Sequence, residues 1–397
     1  MKIRLIIFFI LISPSALLAG SAVFGFGPQH SAFYHHAYST AALGRGGVET
    51  AVLDTIGINY HNYALWSYSG RTMLSVNMMF ESMTVKQPGS DFYKGDANFS
   101  GGFLSFPVVK RRINIGIGLT PKILNDLQFN RSFSSKEASG REEVNTTGNI
   151  SEASFTLAGN IHNRFAFAVV GRYAFGLIKD NLSVLYDRTD LGDVYAQNKY
   201  RISGLGGRLD AYYTLNDRFH TGLSVGLPLK ADMEVSQEAP SSPNEEPEMH
   251  TIQYPLQLSG GLSYALSANW LSCFDLNYAR WKKGYKIDRI SVDNMNDSYR
   301  LGVGIEKRPL YAGKDKITYR AGFFFERINM YANGGIINEY GASLGFGIPL
   351  RMLYNRIDIA FQAGKRGNMH YNLAEETYFR FDIALSASEF WFNRDER

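Results

Sequence analysis

The chain has 397 residues, a formal net charge of +4, one cysteine, 14 % aromatic residues and 39 glycines. Charges of both signs are spread along it, which excludes the clustered basic face that nucleic-acid binding requires. A lone cysteine, Cys273, excludes an intramolecular disulfide, and its place in an alternating segment reads as a small buried hydrophobe in a wall.

The N-terminus comes first. Lys2 and Arg4 precede an apolar run, residues 5–12, too short to span a bilayer, and a small-residue stretch follows over residues 14–22. This is the pattern of a secretory signal peptide, expected over residues 1–20, with cleavage after Ala19 or after Ala22. Ser21 stands where lipidation would need Cys, so a lipoprotein is not expected.

Residues 21–68 are rich in Gly, His and Tyr and lack clean alternation. They are expected to form a plug, with a short helix inside residues 39–52 interrupted by Gly44, Gly46 and Gly47. His30, His35, His36 and His61 cluster here, but their spacing matches no metal motif, and neither metal nor cofactor is expected.

From residue 69 to residue 392 the chain alternates apolar and polar positions in segments of about ten residues that end at turns. Ile113, Ile115, Ile117 and Leu119 alternate with Asn114, Gly116 and Gly118; Tyr299, Leu301, Val303 and Ile305 alternate with Arg300, Gly302, Gly304 and Glu306. Such a period records two different surroundings on the two faces of one sheet, as in a transmembrane β-barrel. The turns also sort by length. Short ones fall near residues 107–112, 162–163, 216–217, 267–269, 309–315 and 350–355; long polar loops are expected at 86–95, 122–148, 179–199, 237–251, 283–297, 328–338 and 365–376. Tight turns on one side and long loops on the other suit an outer-membrane barrel, and the segments between them number about fourteen. The predicted fold is therefore all-β, a transmembrane antiparallel barrel with a small N-terminal lumenal plug, in a Gram-negative-type outer membrane.

Pro121 lacks an N–H, so the third strand either bends there or ends there. Beyond it, Ile123, Leu124, Leu127, Phe129 and Phe133 are unusual for a solvated loop; they could dock an apolar solute or pack against a neighbouring loop. The alternation turns Asp275, Arg300, Glu306, Arg320, Glu326, Arg380 and Asp382 to the lumen, where the arginines could meet a substrate carboxylate or the charges could pair and hold the plug. In the last strand, expected over residues 377–392, Phe379, Phe381, Ile383 and Leu385 face out, and Phe390, Trp391 and Phe392 precede a polar tail, residues 393–397. No catalytic set emerges. Gly204, Gly206 and Gly207 precede no helix, and His162 and His220 lie at short turns without a nucleophile motif.

Four stretches carry a resemblance. The first is Ala41-Ala42-Leu43-Gly44-Arg45-Gly46-Gly47 with Asn59 to Ala64; the others are Phe106-Pro107 with Gly118 to Pro121, Tyr254-Pro255 through Trp281, and Ser298-Tyr299-Arg300 through Phe323. In order and spacing they resemble the FadL/TodX superfamily of outer-membrane transporters for hydrophobic compounds. Gly44, Gly46, Gly47, Asn62 and Ala64 match its N-terminal hatch, while Tyr63 stands where Pro is usual. The resemblance implies a monomeric, non-enzymatic channel that takes up hydrophobic small molecules, of fatty-acid or aromatic-hydrocarbon type, by passive diffusion past the hatch and sideways out at a kink in the third strand, here Pro121. Implied partners are outer-membrane lipid and lipopolysaccharide, the substrate, and the barrel-assembly machinery during insertion. PorV-like branches share these features, so a structural barrel serving protein secretion or surface delivery is the alternative; a porin for polar solutes is third.

Overall fold

Where the wall strands cross the lipid belt, their outward file is apolar and their inward file mostly small or polar, so a sheet built from them can curl until its two edges meet. The computed structural model describes residues 38–389 apart from 55, 135–138, 163, 189–191, 239–245, 294, 310–316 and 351–353. The signal-peptide expectation, His30, His35, His36, the Phe390–Phe392 ending and the polar tail lie outside the described residues.

Strands follow in chain order: β1 (Thr72–Gln87), β2 (Ser90–Val109), β3 (Ile113–Ser134), β4 (Ser139–Ile161), β5 (Phe165–Tyr186), β6 (Val194–Thr214), β7 (Phe219–Gly226), β8 (Leu229–Glu238), β9 (Glu248–Tyr254), β10 (Gln257–Ala265) and β11 (Trp270–Ala279). After them come β12 (Lys286–Ile287), β13 (Ile290–Ser291), β14 (Ser298–Lys307), β15 (Thr318–Ala332), β16 (Gly335–Pro349), β17 (Arg356–Asn368) and β18 (Ala374–Glu389). All pairings are antiparallel, and β1 closes the ring on β18 from Thr72↔Glu389 to Lys86↔Glu375. Four staves are broken in two, so that β7 and β8, β9 and β10, β11 and β12, and β13 and β14 each make one crossing; the closed wall has 14 strands.

Outward positions form an apolar belt, with Leu74, Ile117, Leu119, Phe155, Leu157, Phe167, Val169, Leu209, Leu223, Leu262, Phe274, Val303, Phe323, Leu344, Phe379 and Leu385 all exposed. Lipid is the solvent this surface fits. Among the described residues, no helix is long and apolar enough to cross a membrane.

The expected long loops are mostly strand. Residues 86–95 form a tight hairpin, with Gln87 paired to Ser90, and the β3–β4 ladder continues to Ser134↔Ser139. Much of residues 122–148, 179–199 and 328–338 is likewise laddered. Polar composition misled here because a strand that rises clear of lipid is wet on its outer face and loses the apolar file that marks it in the membrane. The last strand also starts earlier than expected, at Ala374.

Pro121 does not end the third strand. A bulge sits there: Pro121 opposes Ser151 and Ile123 opposes Ile150, leaving Lys122 as the extra residue. The bulge shifts the two-residue frame by one. Odd positions such as Ile117 and Leu119 face lipid below it, whereas Ile123 above it is 1 % exposed and packs in the lumen. At the same height β3 parts from β2. Their last ladder pair among the described residues is Gly102↔Leu119; beyond it β2 is laddered to β1 and β3 to β4.

Candidate functional site

The lumen is built from the plug upward. Ser39 caps helix α1 (Thr40–Leu43), its side chain accepting from the Ala42 N–H. Gly46 and Gly47 then adopt φ of +74° and +80°, a left-handed turn that glycine makes without strain. This turn lies on a strip of small residues. A Cβ on Gly304 would come 2.5 Å from the Arg45 carbonyl oxygen, and one on Gly322 would come 2.2 Å from the Arg45 carbonyl carbon. Gly44 meets Gly345 backbone to backbone. Downstream, Asn62 caps the 3₁₀ turn Tyr63–Tyr68 and donates to the Thr50 carbonyl at 2.9 Å and the Ala211 carbonyl at 2.8 Å, tying two plug segments to β6. Ala64 is wholly buried behind it.

Ion pairs lock this plug to the wall. Arg45 pairs with Glu306, which Arg320 also contacts at 2.7 Å; Arg320 reaches Asp358 at 2.8 Å, Arg356 meets Asp358 at 2.8 Å, and Arg356 returns to the plug at Asp54, 2.5 Å away. Glu306 and Asp358 are each shared by more than one cation and Asp54 is paired with Arg356, which is what makes buried charge tolerable. Asp275 accepts from the Glu49 N–H, the Thr50 N–H and the Thr50 hydroxyl at 2.8–2.9 Å. Arg300 pairs with Glu326 at 2.8 Å and donates to the Gly46 carbonyl at 3.2 Å. Arg380 pairs with Glu81, and Asp382 accepts from Thr40. Thus Asp275, Arg300, Glu306 and Asp382 touch the plug directly, while Arg320, Glu326 and Arg380 hold neighbouring charges.

Above the plug the lumen changes character. On the β3–β9 side, Ile123, Ile150, Ala174, Ile178, Ile202, Leu229, Met233, Ile252 and Tyr254 turn inward and pack into one apolar cluster. The segment after β11 folds in as helix α2 (Trp281–Gly284), and Trp281, Tyr285 and Met295 join the cluster. Ile123 is therefore a lumen residue rather than a loop docking residue, because of the bulge. Leu124 is half-buried on the opposite face, and Phe133 stacks edge-on against Tyr186 at 5.9 Å, packing on a neighbouring hairpin. Leu127 and Phe129 lie in β3, and their side chains are outside the described residues.

Sequence reasoning missed the base of this cluster. Lys122 approaches Glu152 at 3.8 Å, Arg172 approaches Glu152 at 3.3 Å and the Leu227 carbonyl at 2.9 Å, and Arg208 pairs with Asp210 at 2.7 Å. Three cations face two carboxylates, and the buried Arg172 Nε–H has no acceptor among the described residues. A cavity of about 20 Å³ lined by Lys122, Ile123, Ile150, Arg172, Leu229 and Tyr254 joins polar base to apolar cluster, and one of about 40 Å³ lies beside it at His61, Arg208 and Gln257. The parity of β4 to β6 would have placed Glu152, Arg172 and Arg208 inward; Lys122 at the bulge had no such signal.

The BamG family matches residues 5–396, nearly the whole chain. The chain belongs to the BamG family. Among solved structures, this BamG-family barrel is similar to a Pseudomonas aeruginosa FadL homologue, with a TM-score of 0.61 and 13 % identity over 90 % of this chain and 100 % of that one. It is also similar to the CymD monoaromatic hydrocarbon channel (TM-score 0.58, 14 % identity, 89 % and 98 % covered) and to the Ralstonia pickettii toluene transporter TbuX (0.57, 14 %, 88 % and 98 %). At such identity these likenesses establish a shared FadL/TodX-type fold. No curated protein matches the chain.

Proposed function

We propose that this BamG-family barrel resides in the outer membrane and conducts hydrophobic small molecules, an apolar solute entering among the outer hairpins, crossing the cluster around Ile123, and leaving sideways where β2 and β3 part. The observation that carries this reading is the position of the cluster. Its wall residue Ile123 sits at the bulge, directly above the last β2–β3 pair. A solute gains roughly 0.8 kcal/mol per CH₂ removed from water, so passage from cluster to bilayer is downhill without exposure to water. The excess of cations at Lys122, Arg172 and Arg208 favours an amphiphile with an anionic head over a neutral hydrocarbon. In the closed state the two cavities beside the cluster have room for water alone, so transport requires the cluster to open, with α2 the segment that would move.

The test is uptake of a radiolabelled long-chain fatty acid by vesicles carrying the intact chain and by an Ala174→Trp variant, which fills the cavity. The expected result is uptake by the first and near-background uptake by the second. Equal rates, or none in either, would remove the transport reading.

A second reading, a structural barrel serving protein secretion or surface delivery, is favoured by the tight packing of the outer lumen, and the family's name hints at a link with barrel assembly. It predicts no uptake of any apolar solute by the intact chain.

A further inference from the structure

A cavity of about 350 Å³ lies beneath the plug, at the end of the barrel where the short turns gather. Its walls are strand ends. Tyr212 is near the end of β6 and His220 near the start of β7, Leu271 and Thr318 lie at the starts of β11 and β15, and Arg308 and Pro309 follow β14. Its roof is the plug itself, through Leu53, Asp54 and Ile56. In an outer-membrane barrel the tight turns are periplasmic, so this cavity faces the periplasm, and the Ile123 cluster lies at the other end of the staves.

The charges around it are unequal. Arg308 donates through Nε to Glu306 and through Nη2 to the Leu53 carbonyl at 3.2 Å, which leaves Nη1 with no acceptor among the described residues. Its side chain is 39 % exposed, whereas those of Arg45, Arg320 and Arg356 are closed off. Both carboxylates of the lining are already taken: Glu306 meets Arg45, Arg308 and Arg320, and Asp54 meets both terminal nitrogens of Arg356. Across this bonded set four guanidiniums face three carboxylates, Asp358 being the third. An anion is the partner such a site favours, and a guanidinium edge keeps its charge at any physiological pH. The remaining surface is mostly apolar, with Leu53 and Ile56 above and Leu271, Pro309 and the Tyr212 ring at the sides. Apolar walls with a few convergent polar groups, in a volume of roughly 300–1,000 Å³, are the usual form of a small-molecule site.

We infer that this cavity binds a compact amphiphilic anion, its head on the Arg308 guanidinium and its apolar body between Leu53 and Ile56 of the plug and Leu271 of the wall. Plug and wall each supply half of the site. A ligand that needs both halves binds the docked plug and not the released one, and so stabilises docking by mass action. The cavity is then an effector site through which a periplasmic solute locks the plug. It is separate from the Ile123 cluster and does not depend on the transport reading.

The test is equilibrium binding of dansylglycine, an aromatic carboxylate whose emission rises in apolar surroundings, to the full chain in nanodiscs of neutral lipid, with the signal of empty nanodiscs subtracted. Dansylamide, the same ring system without the carboxylate, is the comparator. Dansylglycine should bind saturably and at least about tenfold more tightly than dansylamide, the worth of one hydrogen bond to a charged group. Arg308→Gln should remove that preference, and Ile56→Trp, which fills the cavity from the plug side, should abolish saturable binding. Ala174→Trp, in the outer cluster, should leave it unchanged, which separates this site from the transport route. As a second measurement, dansylglycine at about ten times its Kd should slow proteolysis within residues 38–69 about tenfold in the parent and not in Ile56→Trp. Equal affinity for the two probes, no saturable binding, or binding lost in Ala174→Trp and kept in Ile56→Trp would overturn the site. Saturable binding without slower proteolysis would overturn the lock.

Discussion

Arg45 of the plug and Glu306 of β14 form an ion pair deep in the barrel, their side chains only 2 % and 3 % exposed. Removing Arg45 leaves Glu306 with Arg320 and Arg308 but takes away the plug's own contact with it. Arg45→Ala should weaken plug docking by about 1.5–3 kcal/mol, the worth of a hydrogen bond between charged groups. Limited proteolysis would then cut within residues 38–69 while the wall, laddered independently, resists. A plug as protected as in the parent would show that Arg320 and Arg308 satisfy Glu306 unaided.

Gly322→Ala tests the glycine strip. Its Cβ would need to sit 2.2 Å from the Arg45 carbonyl carbon, and neither backbone can yield without moving the plug or a stave. The expected outcome is a closed barrel with an undocked plug, read as normal heat-modifiable gel mobility with increased cleavage in residues 38–69.

The plug should also respond to pH. Burial pushes the Glu49 carboxyl up to about 7 from an ordinary value of 4.5, against hydrogen bonds from Ser39 and the nearby Arg45 that pull it down; Tyr60 and Asp275 face it from the plug and from β11. Between pH 4.5 and 7 the docked state binds more protons than the released state, so docking weakens as pH rises through that window. Protease sensitivity of the plug should increase from pH 5 to pH 8, and Glu49→Gln should flatten that profile near its acid limit.

The bulge makes Ile123 and Leu124 unequal. Ile123→Ala removes a side chain 1 % exposed inside the apolar cluster and should lower the urea midpoint, at a cost of about 2–4 kcal/mol. Leu124→Ala, on the half-buried face, should cost under about 1 kcal/mol. The opposite ranking would place the frame shift elsewhere.

The barrel was legible because lipid enforces alternation. Wherever a strand crosses the belt, as from Ile113 to Leu119, a slip of one residue would put Asn114 into hydrocarbon, so the sequence records the facing residue by residue. Above the belt water lies on the outer side, and the same backbone geometry continues through residues 122–134 without that record. The inward charges Asp275, Arg300 and Glu306 could be placed by parity, but their partners Thr50, Gly46 and Arg45 lie more than 200 residues away in the chain. No local pattern can carry such a pairing. Likewise a bulge is one extra residue, and nothing in Pro121-Lys122-Ile123 tells a reader which of the three the ladder skips.

The plug's anchors also fix an order of events during biogenesis. Thr40 bonds to Asp382 on β18, Asp54 to Arg356 on β17 and Arg45 to Glu306 on β14, whereas Tyr60 reaches Ser75 on β1 and Asn62 reaches β6. The part of the chain made first is thus held by the part made last. Until the final staves are in place, the early residues have charged groups with no counterpart, and the docked plug is in effect a receipt that the ring has shut.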